Sequence, residues 1–241
     1  MELLHCVYLV LIGIGAGFVQ RVSGFGLGIF AMMFLPHFLP NHTAAAAISS
    51  LFSCVTSTYN ALLHRKSIAY KTVLPMMAAA LIAIPVAVHF SSAVSGDIFK
   101  ILLGAVLVVL SVYFLFFKDR ISMKPNIPNG LLAGTLGGTL GGFFSTGGPP
   151  AVLYLCNATP DNATYFATIQ FYFCFTNIYA TTNRAINGIL NGDILLYAAV
   201  GVVGCMIGDC LGRLVFKRLD SAKLKTIIYI GMIISGAVML F

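Results

Sequence analysis

The chain has 241 residues, of which 59% are hydrophobic and only 9% charged, with a formal net charge of +7. A soluble domain carries roughly 25% charged residues, so this composition excludes one and describes a protein that crosses a lipid bilayer several times. Almost no sequence lies between apolar runs, which leaves no room for a soluble catalytic or nucleotide-binding domain, and there is no Walker A lysine motif.

The N-terminus, Met1-Glu2-Leu3-Leu4-His5-Cys6, lacks the basic stretch and cleavage site of a secretory signal and reads as a retained membrane segment. Apolar segments then run at 4–20, 24–39, 43–63, 72–91 and 98–117. The first is interrupted by a polar, glycine-rich break, Gln20-Arg21-Val22-Ser23-Gly24-Phe25-Gly26-Leu27-Gly28. Unwound backbone at membrane depth is tolerated only where protein or a wet cavity satisfies its polar groups. On the third segment Ser49, Ser53, Thr56 and Asn60 fall on one helical face.

After a linker at 119–128, further apolar segments run at 129–144, 149–156, 163–183, 193–215 and 225–241. The second break is Gly141-Gly142-Phe143-Phe144-Ser145-Thr146-Gly147-Gly148-Pro149-Pro150, and Gln170, Asn177, Thr181 and Arg184 mark another polar face. At an offset of about 120, Asn41 falls on Asp161, Ser50 on Gln170, Cys54 on Cys174 and Ser57 on Asn177; after a shift of three, Asp97 and Lys100 fall on Asp220 and Lys223. The plan repeats in two halves, 1–118 and 129–241.

Loop charge sets their orientation. The loop with His64, Arg65, Lys66 and Lys71, the linker with Lys118, Arg120 and Lys124, and the loop with Lys217, Arg218, Lys223 and Lys225 read as cytoplasmic, while 92–97 and 157–162 carry no Lys or Arg. Basic residues in such loops orient a membrane protein, so the net charge does not indicate nucleic acid. Residues 129–156 must then enter and return on one side, and an arm of eight residues spans only about 12 Å of a core of about 30 Å. The expected fold is therefore all-α and polytopic: an inverted repeat in which each half is a re-entrant helical hairpin followed by three transmembrane helices. Arg184, at an extracellular helix end, votes weakly against this layout.

A new helix starts beyond each break, and two N-termini facing the protein's middle would offer unpaired N–H groups and positive dipole ends to an anion. Glycine lets backbone approach a ligand, and Ser23, Ser145 and Thr146 add hydroxyls. The candidate substrate site is Gln20, Arg21, Ser23, Gly24, Phe25, Gly26, Ser145, Thr146, Gly147, Gly148, Gln170 and Asn177. Arg21 either charges this site or pairs with a carboxylate such as Asp209, and Asp209 and Arg213 are spaced to pair with each other. The glycines of 130–142 also fit plain helix packing. The six cysteines show no CxxC spacing and read as packing residues, and His37 and His89 as interfacial. No metal site or cofactor is indicated.

At these residues the chain resembles the sulfite exporter TauE/SafE family. Gly17-Phe18-Val19-Gln20 leading to Ser23-Gly24-Phe25-Gly26, closed by Pro36 or Pro40, resembles its first motif, and Gly142 to Pro150 its second. Arg21 and Gly148-Pro149-Pro150 depart from the family's pattern. The resemblance implies a multi-pass protein of the bacterial plasma membrane that moves a small sulfur-containing anion such as sulfite, thiosulfate or an organosulfonate by alternating access. A coupling proton or sodium ion and homo-oligomerisation are left open. An anion channel is the alternative. An intramembrane hydrolase built on Ser145 is the remaining one, though no His follows His89 to serve as its base.

Overall fold

The computed structural model describes residues 3–39, 41–117, 123–215 and 221–240. The basic residues Lys118, Arg120, Lys217 and Arg218, and the repeat partner Asp220, lie outside them. The described residues form α1 (Leu3–Ser23), α2 (Leu27–Phe38), α3 (His42–Leu63), α4 (Tyr70–Ala93), α5 (Gly96–Val112, continued by a π turn at Tyr113–Phe117), α6 (Ile127–Phe144), α7 (Gly148–Ala158), α8 (Asn162–Ile186), α9 (Gly192–Val215) and α10 (Ser221–Leu240). A short 3₁₀ turn at Arg65–Ser67 links α3 to α4, and no strand occurs among the described residues.

Polar residues start these helices by satisfying their first N–H groups. The Asn41 side chain accepts from Thr43 N–H at 2.9 Å, and that of Asp161 from Ala163 and Thr164 N–H, both at 2.9 Å. Asn41 and Asp161, which the offset of about 120 pairs in the sequence, thus both cap a helix start.

The breaks are shorter than expected. Helix α1 continues through Gln20, Arg21 and Ser23, and only Gly24-Phe25-Gly26 is unwound. The polar residues remain helical because neighbouring helices, rather than loop water, take their side chains. Gly24 and Gly26 adopt φ of 80° and 95°, a left-handed conformation that glycine reaches without strain. At the second break Ser145 takes that role at φ 59°, with its N–H bonded to Gly141 O at 2.9 Å.

Length separates the arms of each hairpin. Helices α2 and α7 have 12 and 11 residues, about 18 and 17 Å, too short for a core of about 30 Å. Helix α1, with 21 residues, is long and apolar enough to cross, as are α4, α5 with its π turn, and α9. The central helices α3 and α8 have 22 and 25 residues but are too polar to read as spans by composition. Their polar faces point inward, with Ser49, Ser53, Thr56, Asn60, Gln170 and Arg184 all buried.

Helix α1 lies along α9, α4 along α6, α3 against α8 and α5 against α10. Between helices in lipid, close packing rather than water exclusion supplies the attraction, and small residues allow it. A Cβ on Gly17 would sit 2.1 Å from Cys205 O, and one on Gly208 2.0 Å from Ile14 O. On the other pair, Gly134, Gly138 and Gly142 face Met76, Ala80 and Ile84 of α4. The packing reading of the 130–142 glycines therefore holds for this face. Gly17→Val should destabilise the protein by about 1–3 kcal/mol through overpacking of α1 on α9. Thermal unfolding in detergent checks this, and an unchanged Tm would show that the pair can part without cost.

Candidate functional site

The tips of the two hairpins meet. A Cβ on Gly28, in the first turn of α2, would lie 1.8 Å from Ser145 O, and one on Gly148 would lie 3.3 Å from the Phe25 ring. Phe25 is held from behind by Phe114, ring centroids 5.5 Å apart, and Phe114 stacks on Tyr229 at 5.0 Å. Between the tips is a narrow cavity, in which the space open to the centre of a water molecule is about 30 Å³.

Seven predicted residues line this cavity: Gln20, Gly26, Ser145, Thr146, Gly147, Gly148 and Asn177. The predicted site left out Ser53, although the sequence places it on a polar face, as well as Gly137, Gly141, Tyr172, Phe173 and Thr176, which complete the wall with the start of α2. Tyr172 and Thr176 sit one turn apart on the α8 face that carries Asn177 within an aromatic run, so only their helical register relative to Asn177 could have flagged them. The other predicted residues support the cavity or face away from it.

Gln170 is a support. Fully buried on α8, it accepts from Gln20 Nε2 at 2.8 Å and donates to Gly24 O at 2.9 Å, which ties the first tip to the opposite half. The Gln20 amide is further fixed by donating to Ser57 Oγ at 3.1 Å and accepting from Thr56 Oγ1 at 3.2 Å. Asn177 donates to Ser53 Oγ at 3.1 Å. Ser23 spends its hydroxyl on its own turn, donating to Val19 O at 2.7 Å with Phe25 O also in reach, so it steadies the break and is not a free donor.

Arg21 points sideways. It donates to Asn60 Oδ1 at 3.2 Å and lies 5.0 Å over the Phe166 ring. Asn60 in turn donates to Asp209 Oδ1 at 3.0 Å, and Asp209 pairs with Arg213 at 2.6 Å, as their spacing predicts. Arg21 is therefore joined to the carboxylate through an amide and not by direct pairing. Asp209 is buried, and removing one partner of such a pair leaves a charge uncompensated. The charge left behind, Arg213, keeps 26% of its side chain exposed, so Asp209→Asn should cost about 1–3 kcal/mol, read as a lowered unfolding midpoint; an unchanged midpoint would mean that the carboxylate adds nothing to the fold.

Two features suit the cavity to a polar ligand. Thr146 Oγ1 and Tyr172 OH are buried, with both residues 1% exposed, and neither has a hydrogen-bond partner. Buried polar groups in native proteins are nearly always satisfied, by protein, by ordered water or by a ligand, so these two hydroxyls are open to a partner in the cavity. The first turn of α2 adds the N–H groups of Leu27, Gly28 and Ile29, which precede the first intrahelical bond, Phe30 N–H to Gly26 O at 2.8 Å. Helix α7 contributes less than expected. Pro149 and Pro150 fill its first turn and carry no N–H, so Gly148 supplies the N–H there. The two helix starts are thus unequal as anion sites.

Ser145, the nucleophile of the hydrolase alternative, is bonded to the Ser50 hydroxyl at 3.1 Å and not to a His or carboxylate. None of the six cysteines is in a disulfide; Cys205 is buried, and Cys156 and Cys210 are exposed rather than packed inside. His37 and His89 are exposed near the ends of α2 and α4.

Neither the curated proteins nor the solved structures include a significant match to this chain. The sequence model of sulfite exporter TauE/SafE does match, over residues 9–239 and so across both hairpins and the cavity between them. The chain belongs to the TauE/SafE sulfite exporter family and is a membrane transport protein.

Proposed function

We propose that this protein is a secondary transporter that carries one compact sulfur oxoanion, sulfite or thiosulfate, across the bacterial plasma membrane, holding it between the hairpin tips while the halves rock around it. The observation that carries the reading is the pair of buried, unpartnered hydroxyls, Thr146 and Tyr172, facing a cavity beside the free N–H groups of α2. Three kinds of donor converge there, and no carboxylate lines the cavity among the described residues. That chemistry suits an anion with several oxygens.

Size narrows the class. Space of about 30 Å³ is roughly two to three times what one water requires. It fits an ion of four or five heavy atoms and excludes a long organosulfonate chain in this conformation.

Helix pairing supports the inverted repeat. Exchanging α1–α5 for α6–α10 in order carries the α1–α9 contact onto α6–α4 and leaves α3–α8 and α5–α10 as pairs. An internal two-fold relation between 1–118 and 129–241 has that property, and alternating access in such folds works around a site at the repeat interface. A channel would instead need a continuous wet path.

The test is uptake of radiolabelled sulfite and thiosulfate into proteoliposomes, with proton and sodium gradients imposed in turn to find the coupling ion. Saturable uptake at transporter rates is expected; single-channel current would overturn the reading. Gln170→Ala should weaken substrate affinity about 5- to 20-fold. It removes one hydrogen bond from the Gln20 amide and leaves Gly24 O unsatisfied, a loss on the order of 1–2 kcal/mol at the site. Equal affinity in the variant would mean that the first tip holds its shape without α8.

A further inference from the structure

We infer that Arg184 sets the charge preference of the cavity, acting as a positioning residue through Ser50 and Ser145; this rests on the substrate reading above. Arg184 is 1% exposed, yet no carboxylate pairs with it among the described residues. Its guanidinium donates to Ser50 Oγ at 2.7 Å and to Gly142 O at 2.7 Å, with Gly141 O at 3.4 Å. A buried charge without a counter-charge is costly and persists where something else requires it.

The geometry supplies two reasons for it. Helix α6 ends at Phe144, so its negative dipole end points at the same tip whose start of α7 should attract an anion. A hairpin break presents both ends at once, and they largely cancel. Arg184 binds the terminal carbonyls of α6 and removes the repulsive end. Arg21, in the last turn of α1, does not do this for its own arm, since it donates to Asn60 Oδ1.

The second reason is a directed relay. Ser50 Oγ accepts from Arg184 and turns its own proton to Ser145 Oγ at 3.1 Å. Ser145 Oγ, now an acceptor from Ser50, has its proton free for the cavity that it lines. Every donor in the chain Arg184, Ser50, Ser145 points inward, and donors in series polarise one another. The cation is thus expressed at the cavity without touching the substrate, and its attraction should grow by roughly tenfold for each added unit of substrate charge.

The test compares sulfite, titrated at alkaline pH as the dianion, with methanesulfonate, a monoanion of similar size, by calorimetry on the purified full-length protein. Wild type should prefer the dianion. Arg184→Gln should cut dianion affinity about tenfold more than monoanion affinity, and Arg184→Lys should restore most of the preference. Ser50→Ala keeps Arg184 on α6 but cuts the relay, and should lower the preference by a smaller factor, about threefold; a purely structural role would weaken both ions alike. An unchanged ratio in Ser50→Ala and Arg184→Gln, or in Ser50→Ala alone should the other variant not fold, overturns the inference while leaving the cavity intact. If wild type binds neither ion, the substrate reading itself fails and this one with it.

Discussion

Replacing Thr146 with Val and Tyr172 with Phe should weaken substrate affinity by about 10- to 100-fold each, while the protein becomes no less stable. The two readouts move apart for a physical reason. In the ligand-free protein both hydroxyls are buried without a partner, which costs on the order of 1–3 kcal/mol apiece, so isosteric removal relieves a penalty. With an anion bound, each would make a hydrogen bond to a charged acceptor, worth about 1.5–3 kcal/mol, and removal forfeits that. Ordinary core mutations do the reverse, losing stability first. Unfolding midpoint and sulfite affinity measured on the same samples decide the matter. A variant that unfolds earlier and binds normally would show these hydroxyls to be structural, satisfied by trapped water.

The position of Tyr172 explains why it escaped notice in the sequence. Gly137 on α6 lies against its hydroxyl, where a Cβ would come within 2.6 Å. In the sequence Tyr172 is one ring in the run Phe171-Tyr172-Phe173, and a run of aromatics in a membrane helix reads as core. Its significance depends on a glycine 35 positions away in another helix. Arg184 was obscured in the same way. Its place at an extracellular helix end suggested the membrane surface, whereas its side chain, from the last turn of α8, turns back to the end of α6. Long-range partners decide the role of a polar residue, and local pattern does not carry them.

Local chemistry, by contrast, was legible. The breaks fall where glycine and proline demand them, at 24–26 and 145–147, and the helix starts at Leu27 and Gly148 follow within a residue or two of expectation. The inward polar faces of α3 and α8 follow from helical spacing alone, since an apolar helix has no other reason to place Ser49, Ser53, Thr56 and Asn60 in line. Gln20, Ser145 and Thr146 follow from the breaks and Asn177 from its polar face, and all four line the cavity, whereas Gln170, on the same face as Asn177, stands one layer behind it. The extent of the first break was misread because polarity stood in for unwinding. Gln20 and Arg21 are polar because they bond to α3 and α8, and their backbone stays helical.

Gly28→Ala should abolish transport, by at least about 100-fold, with a larger effect than any polar substitution in the cavity. The added methyl would sit 1.8 Å from Ser145 O and 3.6 Å from Ser49 Oγ. The first of these is backbone and cannot rotate away, so the start of α2 and the second tip must separate by more than an ångström. That separation disperses the donors. The N–H groups of α2 move away from Ser145 and Thr146, and a site that relies on several weak contacts at once loses them together. The size of the residue, not its helix propensity, is responsible, since alanine is the better helix former. Gly28→Ser should therefore fail as completely, although its hydroxyl adds a donor. A control at Gly192, where a Cβ meets nothing within 4 Å, should leave transport and stability unchanged. Sulfite flux in proteoliposomes, normalised to folded protein by size-exclusion profile, gives the comparison. Wild-type flux in Gly28→Ala would mean that the hairpin tips do not need their contact at any stage of the cycle.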